Sequence, residues 1–186
     1  MIAIVDYGMG NLRSVQKALE VSGAQTRIVT SPAEVAAADK LVLPGVGAIR
    51  PAMARLGELG LIDSLKAFTA SGKHFLGICL GFQLLFETSS EGGAVNGLAI
   101  LPGSVERFPD SVKVSQMGWK SLGITRDDSP MFAGVSDGAF VYFCHSYYVK
   151  PRDRDIQASM TEYGVTYASS VCAGNIWGVQ FHPEKS

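Results

Sequence analysis

Through the first half of the chain, short apolar runs rich in Ile and Val alternate with segments whose apolar positions recur at helical spacing. That alternation predicts β-α-β units and a parallel sheet. Met1 to Asp6 reads as the first strand, Asn11 to Val21 as a helix and Gln25 to Val29 as the second strand. Ser31-Pro32 sets a capping hydroxyl and an N1 proline ahead of another short helix, and Lys40 to Leu43 follows as strand three. A helix from about Pro51 to Ala70 is expected to end at Gly72. His74 to Ile78 then forms a fourth strand running into Cys79, with a helix from Phe82 to Phe86 directly behind it.

Beyond Gly97 the period changes. Ser104 to Phe108, Val141 to Val149, Gly164 to Ser170 and Ile176 to Phe181 alternate in the manner of half-buried strands, split by Gly, Asp and Asn turns. Ala173-Gly174-Asn175 predicts a hairpin that feeds the last strand toward His182. No repeat, linker or low-complexity tract divides the chain, so the expectation is one α/β domain over residues 1–186. Its sheet is mixed, parallel in the first half and antiparallel in the second.

Composition narrows the chemistry. Sixteen basic and 17 acidic side chains leave a formal charge of −1, without the broad positive field that attracts nucleic acid or anionic lipid. A small neutral or zwitterionic substrate suits that balance. Cysteines at 79, 144 and 172, with no C-x-x-C pair, argue against a disulfide framework and a zinc site, and no metal is expected. MIAIVDYGMG lacks the layout of a secretory leader, and no long uninterrupted apolar stretch follows. The expected location is the cytoplasm.

Gly77-Ile78-Cys79-Leu80-Gly81 places a cysteine where a strand turns abruptly into a helix, with glycine two residues to either side: a nucleophile elbow carrying sulfur. The helix opening at Leu80 is expected to lend Cys79 its positive end and to aim the Leu80 N–H at an oxyanion. On these residues alone, an inert buried cysteine is an equally good reading. A thiolate needs a base, and the chain offers His74, His145 and His182. His74 opens a strand at the edge away from the elbow. His145 lies mid-strand without an acid two or three residues away. His182 stands in Phe181-His182-Pro183-Glu184, where residues i and i+2 of an extended chain face one side, so Glu184 reaches the ring. Taken with the elbow, this spacing favours a triad of Cys79, His182 and Glu184 over an ordinary surface pair.

A second oxyanion donor is expected from Leu43-Pro44-Gly45-Val46-Gly47, through the N–H of Val46 or Gly47, although a plain turn fits the same residues. Gln83, one helical turn after Cys79, is a candidate grip on a polar substrate, with a core-edge role as the alternative. Gly8-Met9-Gly10 imitates the opening of a dinucleotide fingerprint. However, Arg13 holds the third glycine position and no acid ends strand two, so NAD is not expected.

Pro44-Gly45-Val46-Gly47, Gly77 to Gln83 (GICLGFQ) and Phe181 to Ser186 (FHPEKS) together resemble the triad-type, class I glutamine amidotransferases, and the matches run the length of the chain. Asp6 to Leu12 (DYGMGNL), Met117-Gly118-Trp119 and His145 to Tyr148 (HSYY) are most similar to the histidine-pathway branch of that family. The resemblance implies a three-layer, flavodoxin-like fold and a glutaminase that works without a cofactor. Cys79 would be its nucleophile, His182 its base and Glu184 the carboxylate that orients the base. Val46 and Leu80 would form the oxyanion hole, and Gly47, Gln83, Ser146 and Tyr147 would contact glutamine. It also implies a heterodimer with a (β/α)8-barrel cyclase subunit that receives the ammonia. Met9, Gly10, Asn11, Trp119, Tyr142 and Lys185 would stand at that interface. Ser115, Gln116 and Lys120 depart from the Pro, His and Asn usual around Met-Gly-Trp, near the implied partner surface. A paralogue feeding another acceptor, and a non-enzymatic regulator on the same fold, are the competing readings.

Overall fold

The structure is a computed structural model describing residues 1–126 and 128–186. The first half follows the predicted alternation: β1 (Ile2–Val5), α1 (Leu12–Val21), β2 (Thr26–Val29), α2 (Pro32–Ala37), β3 (Lys40–Leu43), α3 (Ile49–Glu58), α4 (Leu61–Ala70), β4 (Phe75–Ile78) and α5 (Leu80–Gln83). Ser31 and Glu34 close a full capping box on α2, each side chain accepting from the other's backbone N–H. The helix expected from Pro51 to Ala70 is two helices. Gly60 adopts φ 66° between α3 and α4, a left-handed turn that breaks the helical ladder without steric penalty.

The remaining strands are β5 (Phe86–Ser89), β6 (Val95–Asn96), β7 (Leu101–Arg107), β8 (Gln116–Ser121), β9 (Gly123–Ile124), β10 (Phe140–His145), β11 (Tyr147–Pro151), β12 (Gln157–Glu162), β13 (Thr166–Ala173) and β14 (Ile176–Val179). The helix expected over Phe82 to Phe86 is displaced: α5 is one turn, and Phe86 already opens β5. The run read as one strand over Val141 to Val149 breaks at Ser146, and its halves join different sheets, β10 pairing β8 and β11 pairing β7.

The main sheet runs β2-β1-β3-β4-β14-β13-β12-β9. Its first five strands are parallel and the rest antiparallel. The predicted hairpin at Gly174-Asn175 turns the chain so that β14 lies parallel to β4, with Val179 opposite Ile78. This pairing matters most for chemistry, because it places the segment after β14 beside the segment after β4. One large core cluster holds Val5, Leu43, Leu56, Leu65, Phe82 and Phe86. A second, around Ile4, Val42, Ile78, Phe143 and Phe181, lies on the other face of the sheet.

Two close approaches show what the elbow demands of its glycines. A Cβ on Gly77 would lie 2.8 Å from the Gly81 carbonyl oxygen, and one on Gly81 would strike the backbone carbonyl of Leu43 on β3. The helix-strand junction is therefore packed backbone against backbone. Gly81→Ala is expected to lower stability by about 3 kcal/mol, as overpacking against immobile backbone does. Gly23→Ala, where φ is 85° but nothing lies within 4 Å, should cost only about 1 kcal/mol. Urea denaturation of the two variants measures the difference.

His145 is buried among the rings of Phe108, Phe143 and Tyr167. Burial pushes its pKa down to about 4, against the bond from its ring to the Tyr147 carbonyl, and the positive His182 adds to the depression. The unfolded chain takes up this proton near pH 6.5, whereas the folded chain refuses it until about pH 4. The neutral ring therefore favours folding above pH 6.5, and that contribution is lost as pH falls toward 4. A His145→Gln variant should lack this component, so wild-type stability should fall by about 3 kcal/mol more than the variant's over that window. Denaturant midpoints measured from pH 7 to pH 4 provide the check.

Candidate active site

Parallel pairing brings three loops to one edge of the sheet: Pro44 to Gly47 after β3, Cys79 after β4, and Gln180 to His182 after β14. Cys79 is buried at φ 53°, ψ −110°, and its N–H donates to the Val179 carbonyl at 2.8 Å. The helix behind it is a single turn, too short for a sizeable macrodipole. The nearest full positive charge available to the sulfur is instead the ring of His182.

His182 is buried, and its Nδ1 lies 2.9 Å from Glu184 Oε1. Contrary to the expected extended geometry, Pro183–Lys185 is a 3-10 turn, and this turn swings the carboxylate back under the ring. Burial alone would lower the His182 pKa. Hydrogen bonds to the Cys79 and Glu184 side chains, together with their charges, outweigh it and push the value up to about 9. The ring is thus held as imidazolium between a sulfur and a carboxylate. His74 lies at the opposite edge of the sheet, its ring centroid 5.6 Å from that of Trp177.

Val46, Gly47, Cys79, Leu80, Gln83, Ser146, Tyr147 and His182 all line one cavity of ≈ 240 Å³. Glu91 and Lys185 bring one charge of each sign to its walls. A cleft of ≈ 870 Å³ between Glu87, Lys150, Arg154 and Tyr167 is larger, but no cysteine or histidine lines it. Size therefore does not identify the reactive site.

The expected oxyanion geometry is not the one present. The Leu80 N–H donates to the Gly45 carbonyl at 3.3 Å. Because C=O and N–H point to opposite sides of a trans peptide, the Val46 N–H faces away from Leu80. The loop rests with a carbonyl where the sequence suggested a donor. Gln83 also differs from expectation: its Nε2 donates to the Tyr147 carbonyl at 2.9 Å and to Gln180 Oε1 at 3.0 Å, leaving only its oxygen for anything in the cavity.

Sequence reasoning passed over Gln180, which donates to Cys79 Sγ at 3.7 Å, and Glu91, whose carboxylate accepts the Ile49 N–H at 2.8 Å. Glu91 gave no signal, since its loop lies far from any motif. Gln180 stood in plain view, one residue before Phe181-His182 and just past the end of β14. Gln116 needs correcting as well: it is 1% exposed, hence away from any partner surface, and accepts from the Tyr167 hydroxyl at 3.0 Å. Ser115 shares a hydrogen bond with Ser146, while Lys120 is exposed, its Nζ 5.7 Å from the centre of the Tyr163 ring.

Around the same edge, Met117, Trp119, Phe140 and Val46 are 70%, 53%, 66% and 45% exposed. Trp119 meets Tyr142 edge-on across the β8–β10 ribbon, and Lys185 Nζ lies 5.5 Å from the centre of the Tyr142 ring. Met9 packs near Gly47, Gly10 lies near the Pro44 ring, and Asn11 is exposed beside them.

Comparison with known proteins gives a consistent result. The description of glutamine amidotransferase class-I matches residues 3–186. The chain is 50% identical to the imidazole glycerol phosphate synthase subunit HisH of Moorella thermoacetica, covering 100% of this chain and 88% of that protein. It is 51% identical to the HisH subunit of Methanosarcina mazei, covering 100% and 91% respectively. Among solved structures it is similar to a glutamine amidotransferase at TM-score 0.78 and 18% identity, covering 99% of this chain and 91% of that one. It is also similar to PurLQS from Thermotoga maritima at TM-score 0.75 and 20% identity, covering 98% and 87%. By profile and by identity over its whole length, this chain belongs to the class-I glutamine amidotransferases.

Proposed function

We propose that this chain is the glutaminase subunit of imidazole glycerol phosphate synthase, hydrolysing glutamine and passing ammonia to a (β/α)8-barrel cyclase subunit in the cytoplasm. The observation that carries the chemistry is the buried Cys79–His182–Glu184 arrangement on one sheet edge. The observation that carries the subunit assignment is the 50% identity to HisH over the full chain.

The Cys79 thiolate attacks the glutamine side-chain carbonyl, whose π electrons move onto oxygen. As the tetrahedral intermediate collapses, His182 gives its proton to the departing nitrogen, so ammonia leaves and a glutamyl thioester remains. Water then attacks the thioester. His182 takes one of its protons and sulfur leaves as thiolate, so glutamate is released and the imidazolium is restored. Glu184 keeps the ring in the orientation these transfers need. Glu91 is the natural partner for the substrate ammonium, and the oxygen of Gln83 together with Ser146 and Tyr147 holds the polar remainder.

The developing oxyanion requires the Leu80 N–H, which Gly45 occupies at rest. Turning the Gly45-Val46 peptide releases it and brings the Val46 N–H inward. The β-branched Val46 resists that turn, so glutamine hydrolysis by the chain alone should be slow. Cys79→Ala should reduce glutamate release by roughly 10⁶-fold with the fold intact, and His182→Ala nearly as much. Glu184→Gln should reduce it less, by roughly 10⁴-fold. Equal losses at Glu184 and Cys79 in a coupled glutamate assay would refute the division of roles.

The apolar rim offers the docking face, with Trp119 at its centre, Tyr142 and Lys185 beside it, and Met9, Gly10 and Asn11 across the cavity mouth. Trp119→Ala should weaken binding to the cyclase by ~2 kcal/mol, about 30-fold in Kd, with little change in the Tm of the free chain. Calorimetric titration reads the first, and a thermal melt the second. Wild-type affinity in the variant, or no rise in glutaminase rate when cyclase and acceptor nucleotide are added to the wild-type chain, would count against the proposed docking.

A further inference from the structure

We infer that Gln180 is a hydrogen-bond donor to the Cys79 sulfur that favours its thiolate form, and that Gln83 sets the direction of that donor. The inference rests on the reading of Cys79 as the nucleophile and adds a residue to it.

The two ends of an amide look alike in shape, so their assignment must come from the network around them. Gln83 settles it. One of its amide ends lies 2.9 Å from the Tyr147 carbonyl, which can only accept, so that end is Nε2. The second proton of Nε2 points at the Gln180 side chain, 3.0 Å away, so the atom it meets must be Oε1. The remaining end of Gln180 is then its NH₂, and it lies 3.7 Å from Cys79 Sγ. The Tyr147 carbonyl is itself anchored, because its other lone pair takes the Nδ1–H of His145 at 2.8 Å. His145 Nε2 in turn lies 3.3 Å from the Tyr167 hydroxyl.

Gln180 has no accessible surface, and its neighbours in sequence, Val179 and Phe181, are buried core residues. A primary amide is an expensive way to fill such a place unless each polar end is used. Here the oxygen is used by Gln83 and the nitrogen by sulfur. A neutral thiol is a weak acceptor, whereas a thiolate accepts a charge-assisted bond, so this contact stabilises the ionised form selectively.

The other groups bearing on the sulfur act differently. The positive His182 attracts the thiolate directly, with Glu184 behind it. Tyr7 and His145 are held neutral, Tyr7 by burial and then by the charge of Cys79, His145 by burial. Glu91 and Lys185 line the cavity with opposite charges. Gln180 is thus a neutral donor, unaffected by pH across the range in which the sulfur ionises.

The experiment is the pH dependence of Cys79 alkylation by iodoacetamide, in which the thiolate displaces iodide. Mass spectrometry of the Cys79 peptide separates it from Cys144 and Cys172. Gln180→Met, close in volume and without a donor, should raise the midpoint by about one pH unit, a tenfold lower thiolate fraction on the acid side. Gln83→Met leaves Gln180 in place but frees its amide to turn, and should shift the midpoint in the same direction by a smaller amount. Unchanged midpoints in both variants overturn the inference, and a shift for Gln180→Met alone overturns the part assigned to Gln83. Should Gln180→Met fail to fold, an unchanged midpoint in Gln83→Met is sufficient to overturn it. No glutamine is turned over in this measurement. A wild-type chain that alkylates at Cys79 but releases no glutamate even with cyclase and acceptor nucleotide present would therefore defeat the glutaminase reading and leave this inference standing.

Discussion

The site hangs on a single backbone conformation. Cys79 sits at φ 53°, in a region that costs a non-glycine residue roughly 1–3 kcal/mol, and it stays there only because its surroundings allow nothing else. Its N–H is tied to Val179, and its carbonyl accepts from Phe82 and Gln83 at 3.1 Å each. The space to make those bonds exists because Gly77, Gly81 and Gly178 carry no Cβ. At Gly178 a methyl group would enter the ring of Phe82, a core residue stacked edge-on against Phe86. The strain at the nucleophile is thus balanced by apolar burial directly behind it, and the sulfur is aimed by the core itself.

Given that fixed point, electrostatics does the rest. A buried imidazolium between a thiol and a carboxylate is unfavourable for each group alone and favourable for the set, because each charge is neutralised within a few ångströms in a medium of low polarity. Glu184 Oε2 has no hydrogen-bond partner among the described residues, so the carboxylate is directed at His182 through its other oxygen and nothing dilutes it. The Gly45 carbonyl adds a constraint of the opposite kind. It satisfies the Leu80 N–H at rest and so keeps a buried donor paired when no oxyanion is present. The buried hydroxyl of Tyr7, likewise without a partner among the described residues, lies beside Gly45. The peptide proposed to turn for chemistry is thus set next to an unused polar group.

What the sequence revealed, and what it hid, follows from the range of each interaction. The elbow, the His182-Glu184 contact, the Ser31 capping hydroxyl and the hairpin at Gly174 are local devices, each complete within a few residues, and each was legible, although the contact is made through a 3-10 turn and not the extended chain expected. The break at Gly60 was missed because helix periodicity continues across it and only the backbone at one glycine changes. Val141 to Val149 read as one strand because alternation persists through Ser146, where the chain passes from β8's partner to β7's. Strands β5, β6, β8, β9 and β12 are short or lack clean alternation, and β8 and β9 pair only with strands distant in sequence, β10 and β12. Gln180 illustrates the same limit at the site. Its neighbours in the motif drew attention, but its meaning depends on Gln83, 97 positions earlier, and on a carbonyl at residue 147.

The proposed docking face and the proposed triad are joined through one strand. β10 carries Tyr142 and, two residues later, Cys144, whose carbonyl lies 4.0 Å from Cys79 Sγ. The carbonyl of Tyr142 accepts the backbone N–H of His182 at 2.9 Å, and its own N–H donates to Ser186 Oγ, which donates back to the His182 carbonyl at 2.7 Å. His182 is therefore clamped on both sides of its peptide by the strand whose Tyr142 ring meets Trp119 and lies under Lys185. A load placed on that aromatic pair reaches the base through one backbone hydrogen bond, from the His182 N–H to the Tyr142 carbonyl, and through the Ser186 hydroxyl on the other side. A partner seated there would bear on the position of His182 as directly as on the cavity mouth, which makes the ribbon a continuation of the active site and not merely a surface beside it.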